Sequence, residues 1–227
     1  MKIYAFIFVR GGSKGLPGKN IRMLSGRPLL SHSIELAQQM PEIEKVFVST
    51  DDESIARVAL KCNATVIERP KELAEDDSSE WMCWQHAIDW VRKNEGDFDI
   101  FISLPATSPL RIKQDVESCL LKLDDHTDAV ITVTRTNHNP WFNMIYIDQD
   151  EYVHVVNNGE VEFIRRQDAP EVYNITTVAY VLRPNFIMQH KNIYEGNIKS
   201  VIIPEERAID IDNEFDFMIA DYLSTKK

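Results

Sequence analysis

Short apolar segments alternate with longer helix-forming segments through the first 133 residues, and this alternation limits the folds open to the chain. The apolar segments are rich in β-branched and aromatic residues, which is typical of buried strands. The segments between them are about ten residues or longer, enough for a helix that crosses from one strand to the next. We therefore predict an α/β fold with a doubly wound, mainly parallel sheet covered by helices on both faces.

Strand predictions cover residues 2–9, 45–49, 64–67, 99–104, 129–133 and 200–203, and helix predictions cover 28–40, 52–62, 79–94, 114–123 and 213–223. Between residues 137 and 182 the pattern changes to short alternating segments, at 142–147, 152–156, 161–164 and 176–182. Asn157-Asn158-Gly159 is a hairpin turn signal within this region. We predict a single domain over residues 1–227, with a small antiparallel β insertion at 137–182.

Composition and charge argue against several classes of protein. Hydrophobic residues make up 44% of the chain and charged residues 27%, an ordinary globular balance. No apolar run is long enough to span a bilayer, so we predict a soluble, cytoplasmic protein without a membrane partner. The net charge of -11 disfavours a nucleic-acid surface. Three widely spaced cysteines without a CxxC pair favour neither a zinc site nor a disulfide framework.

Positive charge is concentrated near the beginning of the sequence. Residues 1–34 contain six Lys and Arg residues and no Asp or Glu, although the whole chain has 25 basic and 36 acidic residues. A basic segment in an acidic protein favours an anionic ligand. Chance clustering on a solvated face is the alternative, but glycines are interleaved with these charges, and this favours a binding loop.

The segment from Arg10 to Asn20 directly follows the first predicted strand and reads Arg-Gly-Gly-Ser-Lys-Gly-Leu-Pro-Gly-Lys-Asn. Glycines let a backbone approach a ligand and expose N–H groups, while basic side chains neutralise phosphate. The segment is not a dinucleotide-binding fingerprint, because the glycines at 12, 15 and 18 are three apart and no helix begins at once. It is not a P-loop, since Ser13 replaces the first glycine and Asn20 replaces the magnesium-binding Ser or Thr. We predict a phosphate loop of another kind.

This segment resembles the signature of the cytidylyltransferases that make CMP-sialic acids, together with their bacterial relatives. Four further segments resemble motifs of that family in the same order: Val48 to Asp52, Glu68 to Ala74, Thr107 to Arg111, and Ile209 to Phe217. The resemblance covers about residues 3 to 223 and implies a Rossmann-like nucleotidyltransferase fold. It also implies CTP and a nine-carbon 2-keto-3-deoxy sugar acid as substrates, Mg²⁺ or another divalent cation as cofactor, and a homodimer built through the insertion.

The resemblance implies a role for each matching residue. The nucleotide and its triphosphate would be bound by Arg10, Gly11, Gly12, Ser13, Lys14, Lys19, Asn20, Arg69, Ser79, Thr107, Ser108 and Arg111. The sugar acid would be bound by Arg166, Tyr180 and Phe142. Lys19 and Arg10 would stabilise the charge of the leaving pyrophosphate.

Two carboxylates near the end of the chain are the candidate metal ligands. Asp210 and Asp212 are two residues apart on an extended segment, so both point to one side and can share the cation that the resemblance implies. Asp210, or a metal-bound water, would take the proton of the attacking hydroxyl. Asp212 has an alternative role as the cap of the helix predicted from residue 213.

Three positions depart from the pattern of many sialate-activating enzymes. Pro105 stands where they carry a glutamine that reads cytosine, Phe142 stands where several carry a lysine, and Thr176-Thr177 replace an Asn-Gly pair. The segments around residues 139–143 and 166–170 look more like the legionaminate-activating branch. A Phe in place of Lys favours a less polar part of the sugar, as a deoxy, diacetamido substrate would offer.

Two other functions stay open. A Kdo cytidylyltransferase or another sugar nucleotidyltransferase is the nearer alternative, although Thr107 to Arg111 and the early Ser-Lys-Gly argue against Kdo. A non-catalytic nucleotide-binding protein is the alternative of another class. Such a protein would not need both Lys19 and the carboxylates at 210 and 212.

Overall fold

The computed structural model describes residues 1–13, 15–157, 163 and 165–226, apart from the side chain of Arg166. In this part of the chain the strands are β1 (Ile3–Phe8), β2 (Met23–Leu24), β3 (Arg27–Pro28), β4 (Ile43–Thr50), β5 (Thr65–Glu68), β6 (Ile100–Ser103), β7 (Ala129–Arg135), β8 (Ile145–Ile147), β9 (Val153–Val155), β10 (Tyr173–Leu182) and β11 (Ile198–Ile202). The α-helices are α1 (Leu29–Gln38), α2 (Glu53–Lys61), α3 (Glu80–Asn94), α4 (Lys113–Lys122), α5 (Pro184–Gln189) and α6 (Glu214–Ser224).

Seven strands form a central sheet in the order β11-β7-β10-β6-β1-β4-β5. Every neighbouring pair in it is parallel except the two pairs made by β10, which runs antiparallel to both β6 and β7. The remaining strands form two small antiparallel sheets, β2 with β3 and β8 with β9. The prediction of a mainly parallel sheet with a small antiparallel addition is confirmed.

Two apolar clusters cover the two faces of the sheet, as the strand pattern predicts. Ala5 and Ile7 of β1 belong to the cluster that packs against α1, α2 and α4. Tyr4 and Phe6, which point the other way, belong to the cluster with α3 and α5. The Phe6 and Phe101 rings stack with their centroids 4.6 Å apart. Burial of each such side chain stabilises the fold by roughly 1.5–3 kcal/mol, so the alternation fixes which face each helix covers.

The predicted helices lie within two residues of α1, α2, α3, α4 and α6 at both ends. Local chemistry explains the start of α2, where the Asp52 carboxylate accepts from the backbone N–H groups of Ser54 (2.7 Å) and Ile55 (2.9 Å). The short helix α5 and the hairpin formed by β2 and β3 were not predicted. None of the helices in the described ranges combines the length and the apolar character that crossing a bilayer requires.

The region predicted as an insertion divides into two parts. Its last segment belongs to β10, a strand of the central sheet between β6 and β7, and not to a separate antiparallel unit. The physical reason is burial, because Val178, Ala179, Val181 and Leu182 are all fully enclosed. Only β8 and β9 pair apart from the central sheet.

The strand predicted at 142–147 is shorter than expected. The Asn139 carbonyl oxygen accepts from the N–H groups of Phe142, Asn143 and Met144, each at 3.0 Å, and this turn delays the start of β8. The hairpin turn of β8 and β9 lies at 148–152, where Glu151 has a positive φ of 67°. The predicted strand at 161–164 and the turn signal at Asn158-Gly159 fall largely outside the described residues.

Candidate active site

A cleft of about 370 Å³ opens where β1 and β6 end. These strands are neighbours in the sheet, but the chain goes from β1 to β4 on one side and reaches β6 only later. Open α/β sheets bind ligands at such a switch in strand order, outside the carboxyl ends of the strands. The cleft is lined by Phe8, Val9, Arg10, Ser13, Gly15, Lys19, Asn20, Glu80, Pro105, Ala106, Thr107, Thr177 and Asp212.

Two glycines of the loop that follows β1 are required by close packing. A Cβ atom on Gly15 would lie 2.3 Å from the carbonyl oxygen of Asp212, and one on Gly11 would lie 2.8 Å from the Asp52 carboxylate. The Gly11 N–H also donates to the Asp51 carboxylate over 3.1 Å. Gly12 has open space where a side chain would stand. The close approach of Gly15 to Asp212 shows that the loop lies directly against the acidic segment at 210–212.

The remaining predicted residues of the loop differ in what they contact. The Arg10 guanidinium pairs with Asp76 at 2.8 Å and donates to the Ala74 carbonyl at 3.3 Å. Asn20 is buried and donates to the Arg10 carbonyl at 3.1 Å, so it holds the shape of the loop. Ser13 lines the cleft. Lys14 lies outside the described residues.

Lys19 joins the loop to the acidic segment. Its ammonium group donates to the Ile211 carbonyl at 2.8 Å and to the Asp212 carboxylate at 3.1 Å. Asp212 is not the cap of α6, because Asn213 occupies that position and accepts from the N–H of Asp216. The helix-cap alternative is thus wrong, and the carboxylate of Asp212 is directed into the cleft.

Asp210 lies on the same side of the chain, since the intervening Ile211 points into the core. Its Oδ1 atom is buried and has no hydrogen-bond partner among the described residues. Burial raises the pKa of the Asp210 carboxyl, and the like charge of Asp212 raises it further. A buried, unpartnered carboxylate oxygen beside a second carboxylate suits a hard cation. The described residues offer no cluster of three or more His, Cys, Asp or Glu side chains that could enclose one completely.

Three predicted nucleotide-binding residues act as internal braces. Arg69 is buried against Ser49 and donates to its carbonyl at 2.8 Å, and burial lowers the pKa of its guanidinium. Ser108 is fully buried and bonds to the Thr177 hydroxyl at 2.6 Å. Arg111 donates to the carbonyl groups of Pro105 and Thr177, and burial lowers its pKa to about 9. Arg111 and Ser108 therefore support the wall of the cleft from behind.

An irregularity in β10 brings Thr177 to the cleft. The pairing of β10 with β7 shifts between Thr176 and Tyr180. The buried hydroxyl of Thr132 fills the gap, because it accepts from the Ala179 N–H at 3.0 Å and from the Thr176 hydroxyl at 2.8 Å. Thr177 then faces Thr107, and the hydroxyl groups of both lower the pKa of Asp210 against the effect of burial.

A second cleft of about 260 Å³ adjoins the first, and Glu80 lines both. Its walls are mainly apolar and aromatic, formed by Ser79, Glu80, Trp81, Trp84, Ile131, Ile175, Tyr180, Lys191, Asn192, Ile193 and Tyr194. Tyr180 packs on Trp84 with ring centroids 5.7 Å apart, and burial raises the pKa of its phenol. Ser79, predicted near the nucleotide, lines this second cleft at the start of α3.

Of the other predicted sugar-binding residues, one stands apart from this arrangement and one is not described in full. Phe142 lies in the turn before β8 and is 38% exposed, and it lines neither cleft. The backbone of Arg166 lies in a short 3₁₀ helix at Arg166–Asp168, and its side chain is outside the described part of the structure.

Sequence reasoning missed Glu80 and Thr177 as residues that line the clefts. Glu80 is the first residue of α3 and directly follows Ser79, which was predicted near the nucleotide, but no motif singled out Glu80 itself. Thr177 reaches the cleft through a change of register that depends on Thr132, 45 residues earlier in the sequence. A local sequence pattern contains no signal for such a contact.

Three comparisons with known proteins bear on this site. A family model described as cytidylyltransferase matches residues 4–218. The post-translational flagellin modification protein B of Campylobacter coli is 31% identical over all of this chain and 96% of its own length. The CMP-N,N'-diacetyllegionaminic acid synthase of Campylobacter jejuni is 30% identical over the same shares. The solved structure of CMP:2-keto-3-deoxy-manno-octonic acid synthetase with CTP superposes with a TM-score of 0.74 at 17% identity, covering 100% of this chain and 99% of that one.

Proposed function

The chain belongs to the cytidylyltransferase family, and from that premise we propose that it transfers CMP from CTP to a nine-carbon 2-keto-3-deoxy sugar acid, with release of pyrophosphate. One observation carries the proposal: Lys19 of the glycine loop and Asp212, far apart in sequence, meet in one cleft that adjoins an aromatic second cleft. The first cleft is polar and presents the cations of Arg10 and Lys19 to a triphosphate, and the second has the apolar walls that a sugar ring and its acyl groups need.

The chemistry requires the anomeric hydroxyl of the sugar acid to attack the α-phosphorus of CTP. A P–O bond forms to that hydroxyl oxygen while the bond to the leaving pyrophosphate breaks, and the hydroxyl proton would pass to Asp210 or to a water molecule. Transfer of this kind depends mainly on alignment of the reactants and neutralisation of charge. Lys19 and Arg10 would donate to phosphate oxygens, and the backbone of the loop would contribute further N–H groups. In this structure the Lys19 ammonium group bonds to the Ile211 carbonyl and the Arg10 guanidinium pairs with Asp76. The phosphate oxygens would replace these protein acceptors.

We propose that Asp210 and Asp212 hold a divalent cation, with Mg²⁺ as the natural choice. The unpartnered Oδ1 atom of Asp210 supports this assignment. Mg²⁺ is commonly held by one or two carboxylates together with substrate phosphates, so a third protein ligand is not needed. Bound there, the cation would neutralise phosphate charge and make the attacking hydroxyl more acidic. Asp212 already pairs with the Lys19 ammonium group, so the proposed cation ligands and the proposed phosphate ligand lie in the same cleft.

Replacement of Asp212 by Asn tests this role. The Asp212 side chain is 73% exposed, and Lys19 is its only side-chain partner within the described ranges, so its replacement should leave the melting temperature nearly unchanged. Turnover should fall about 100-fold or more, and the Mg²⁺ concentration that gives half-maximal rate should rise. Wild-type turnover with wild-type Mg²⁺ dependence would refute the assignment.

Within the class of sugar acids we propose a legionaminate-type substrate. The relative from Campylobacter jejuni carries that substrate in its name, and the mainly apolar walls of the second cleft support a deoxy, diacetamido sugar. The test is a pyrophosphate-release assay with each NTP and with N-acetylneuraminate, diacetyllegionaminate and Kdo. We expect release with CTP and the fastest rate with diacetyllegionaminate. A clear preference for N-acetylneuraminate or Kdo would overturn the choice of sugar, and no release with any nonulosonate would overturn the enzymatic proposal.

We further propose a homodimer that works in the cytoplasm, where CTP is available. The β8–β9 hairpin supports the dimer, because it pairs apart from the central sheet and leaves large apolar side chains exposed. These include Ile145, Tyr146, Ile147, Tyr152 and Val153. Contiguous exposed apolar side chains on a small sheet favour a second protein surface over solvent.

A further inference from the structure

We propose that Lys191 is a specificity-determining residue of the second cleft, where its ammonium group binds the carbonyl oxygen of an acylamino group of the sugar acid. This inference rests on the proposed function and adds a residue that the sequence analysis did not single out. Lys191 is the one cation in the lining of that cleft, as far as the described residues show. It lies in the segment between α5 and β11, which contacts the first turns of α3.

Hydrogen bonds from α3 hold the segment that carries Lys191. The Trp81 indole N–H donates to the His190 carbonyl at 2.7 Å, and the Gln85 amide donates to the same oxygen at 3.2 Å. The Gln85 amide also donates to the Ile187 carbonyl at 2.9 Å. These bonds fix the backbone at the wall of the cleft, so less conformational entropy is lost when the lysine side chain engages a ligand.

The ammonium group of Lys191 is not neutralised by a neighbouring carboxylate. Glu195 is the nearest acid in the sequence, but its oxygens accept from the backbone N–H of Lys191 at 3.1 Å and from the Asn192 amide at 2.9 Å. Within the described ranges the ammonium group itself has no ion pair and no hydrogen bond. The lining of a mainly apolar and aromatic cleft thus includes one charged donor that the fold leaves uncommitted.

The reaction decides which end of the sugar acid reaches this cleft. The carboxylate is attached to the carbon that carries the attacking hydroxyl, so it has to stay beside the α-phosphate in the first cleft. Lys191 lines only the second cleft, where the far side of the sugar ring and its substituents would lie.

An acylamino group is the substituent that fits these walls best. Its methyl group can pack on apolar side chains such as Ile175 and Ile193, which line the cleft. Its carbonyl oxygen is an acceptor, and a lysine ammonium group only donates. Lys191 would therefore pair with the carbonyl oxygen and not with the amide N–H, and it would favour acylated sugar acids over those that carry only hydroxyl groups.

The experiment compares Lys191→Met with wild type, with Lys191→Arg, and with Lys93→Met at an exposed position of α3. The sugar acid is the acylated nonulosonate with the fastest wild-type rate, expected to be diacetyllegionaminate. Lys191→Met should raise its KM about 3- to 10-fold, as expected for a charged hydrogen bond at an exposed site. The values of kcat and of KM for CTP should stay within about twofold, because this bond is present equally before and during the reaction. Lys191→Arg should keep KM within about threefold of wild type, since it retains the charge.

A second substrate identifies the group that is bound. It is an analogue of the same sugar acid with hydroxyl groups in place of the acylamino groups. Wild type and Lys191→Met should have nearly the same KM for this analogue, because it lacks the carbonyl oxygen. An equal rise in KM for both sugar acids would show that Lys191 binds another part of the substrate, and this would overturn the inference.

The outcomes separate this inference from the proposed function. If the wild type releases pyrophosphate with a nonulosonate and Lys191→Met keeps the wild-type KM, the inference fails while the proposed function stands. A rise in KM of the same size for Lys93→Met or for Lys191→Arg would also overturn it, because the effect would not depend on the position or on the charge. If the wild type releases no pyrophosphate with any nonulosonate, the proposed function fails and this inference fails with it.

Discussion

At the scale of single residues, Gly15 and Gly12 form a matched pair in one loop. A Cβ atom on Gly15 would lie 2.3 Å from the Asp212 carbonyl oxygen, whereas one on Gly12 would meet nothing within 4 Å. Overpacking costs about 1–3 kcal/mol, so Gly15→Ala should lower the melting temperature by about 5 °C and displace Asp212. Gly12→Ala should leave the melting temperature nearly unchanged. Differential scanning calorimetry of both variants checks this prediction, and equal melting temperatures would contradict it.

Lys19 carries the next prediction. Its side chain is only 14% exposed, and its ammonium group bonds to Asp212 in the cleft where a phosphate oxygen would bind. Removal of one charged donor to the developing charge lowers kcat about 100- to 1,000-fold, and we expect a reduction of this size for Lys19→Met. Steady-state kinetics with saturating CTP measure it. Lys93→Met, at an exposed position near the end of α3, should keep wild-type kcat. A loss of less than about tenfold for Lys19→Met would contradict the assigned role.

The residues of the site show how far sequence reasoning extends. Lys19 and Asp212 are in the cleft that the loop and the acidic motif predict. Arg69 and Arg111 have the charge expected of phosphate ligands, yet both are buried and bond to backbone carbonyl groups. Charge and position in a motif cannot distinguish an arginine that reaches a ligand from one that braces the wall behind it. That distinction depends on burial, which the assembled sheet determines.

At the scale of elements, the irregular segment of β10 depends on one hydroxyl. Thr132 is fully buried and accepts from the Ala179 N–H, and the Thr176 hydroxyl donates to it. Thr132→Val keeps the volume but leaves these donors unsatisfied, which costs about 1–3 kcal/mol. We expect the melting temperature to fall by about 2–12 °C, and activity to fall because Thr177 loses its position.

The control for this prediction is Thr134→Val on the same strand. Thr134 is also buried, but in the described part of the chain its side chain makes no bond to the irregular segment of β10, so the same change should cost less. Thermal melting and kcat of both variants give the comparison. The interpretation would be wrong if the two substitutions lowered stability equally or if Thr132→Val kept full activity.

The elements also differ in how well local patterns define them. Helices such as α2 carry their own boundaries in the sequence, because the Asp52 cap and the apolar spacing are local. The strand β10 is apolar and regular enough to be recognised, but its neighbours in the sheet are not a local property. It pairs with β6 and β7, which precede it by some 40 residues or more, so its place in the central sheet could not be predicted. The order of strands is decided by packing of the whole sheet.

At the scale of the whole molecule, the family and the mainly parallel fold were predicted correctly, because five motifs recur in order along the chain. The site joins segments from the beginning, middle and end of that chain. The loop after β1, the start of α3, the segment after β6 and the residues before α6 all line one cleft. Each segment was visible in the sequence, but the position of Glu80 between two clefts follows only from their assembly.

The proposed dimer gives the last prediction, which concerns the surface of the assembled protein. Ile147 and Val153 are cross-strand partners in the β8–β9 hairpin, and they are 63% and 62% exposed. Stable interfaces bury about 800 Å² on each partner, and an apolar core in them tolerates charge poorly. The double variant Ile147→Lys with Val153→Lys should therefore shift the protein from dimer to monomer in sedimentation velocity. Its far-UV circular dichroism should stay unchanged, because neither side chain packs in the core of the central sheet.

Leu121→Lys is the matched control for this shift. Leu121 lies on α4, not on the hairpin, and is 86% exposed. The control variant therefore also replaces an exposed apolar side chain by a lysine. We expect this variant to sediment as the wild type does. The glycine loop, the segment after β6 and Asp212 of one chain together form the first cleft, so the monomeric double variant should still bind CTP, which calorimetric titration can measure. A hairpin variant that remains a dimer at the wild-type dissociation constant would place the interface elsewhere on the molecule.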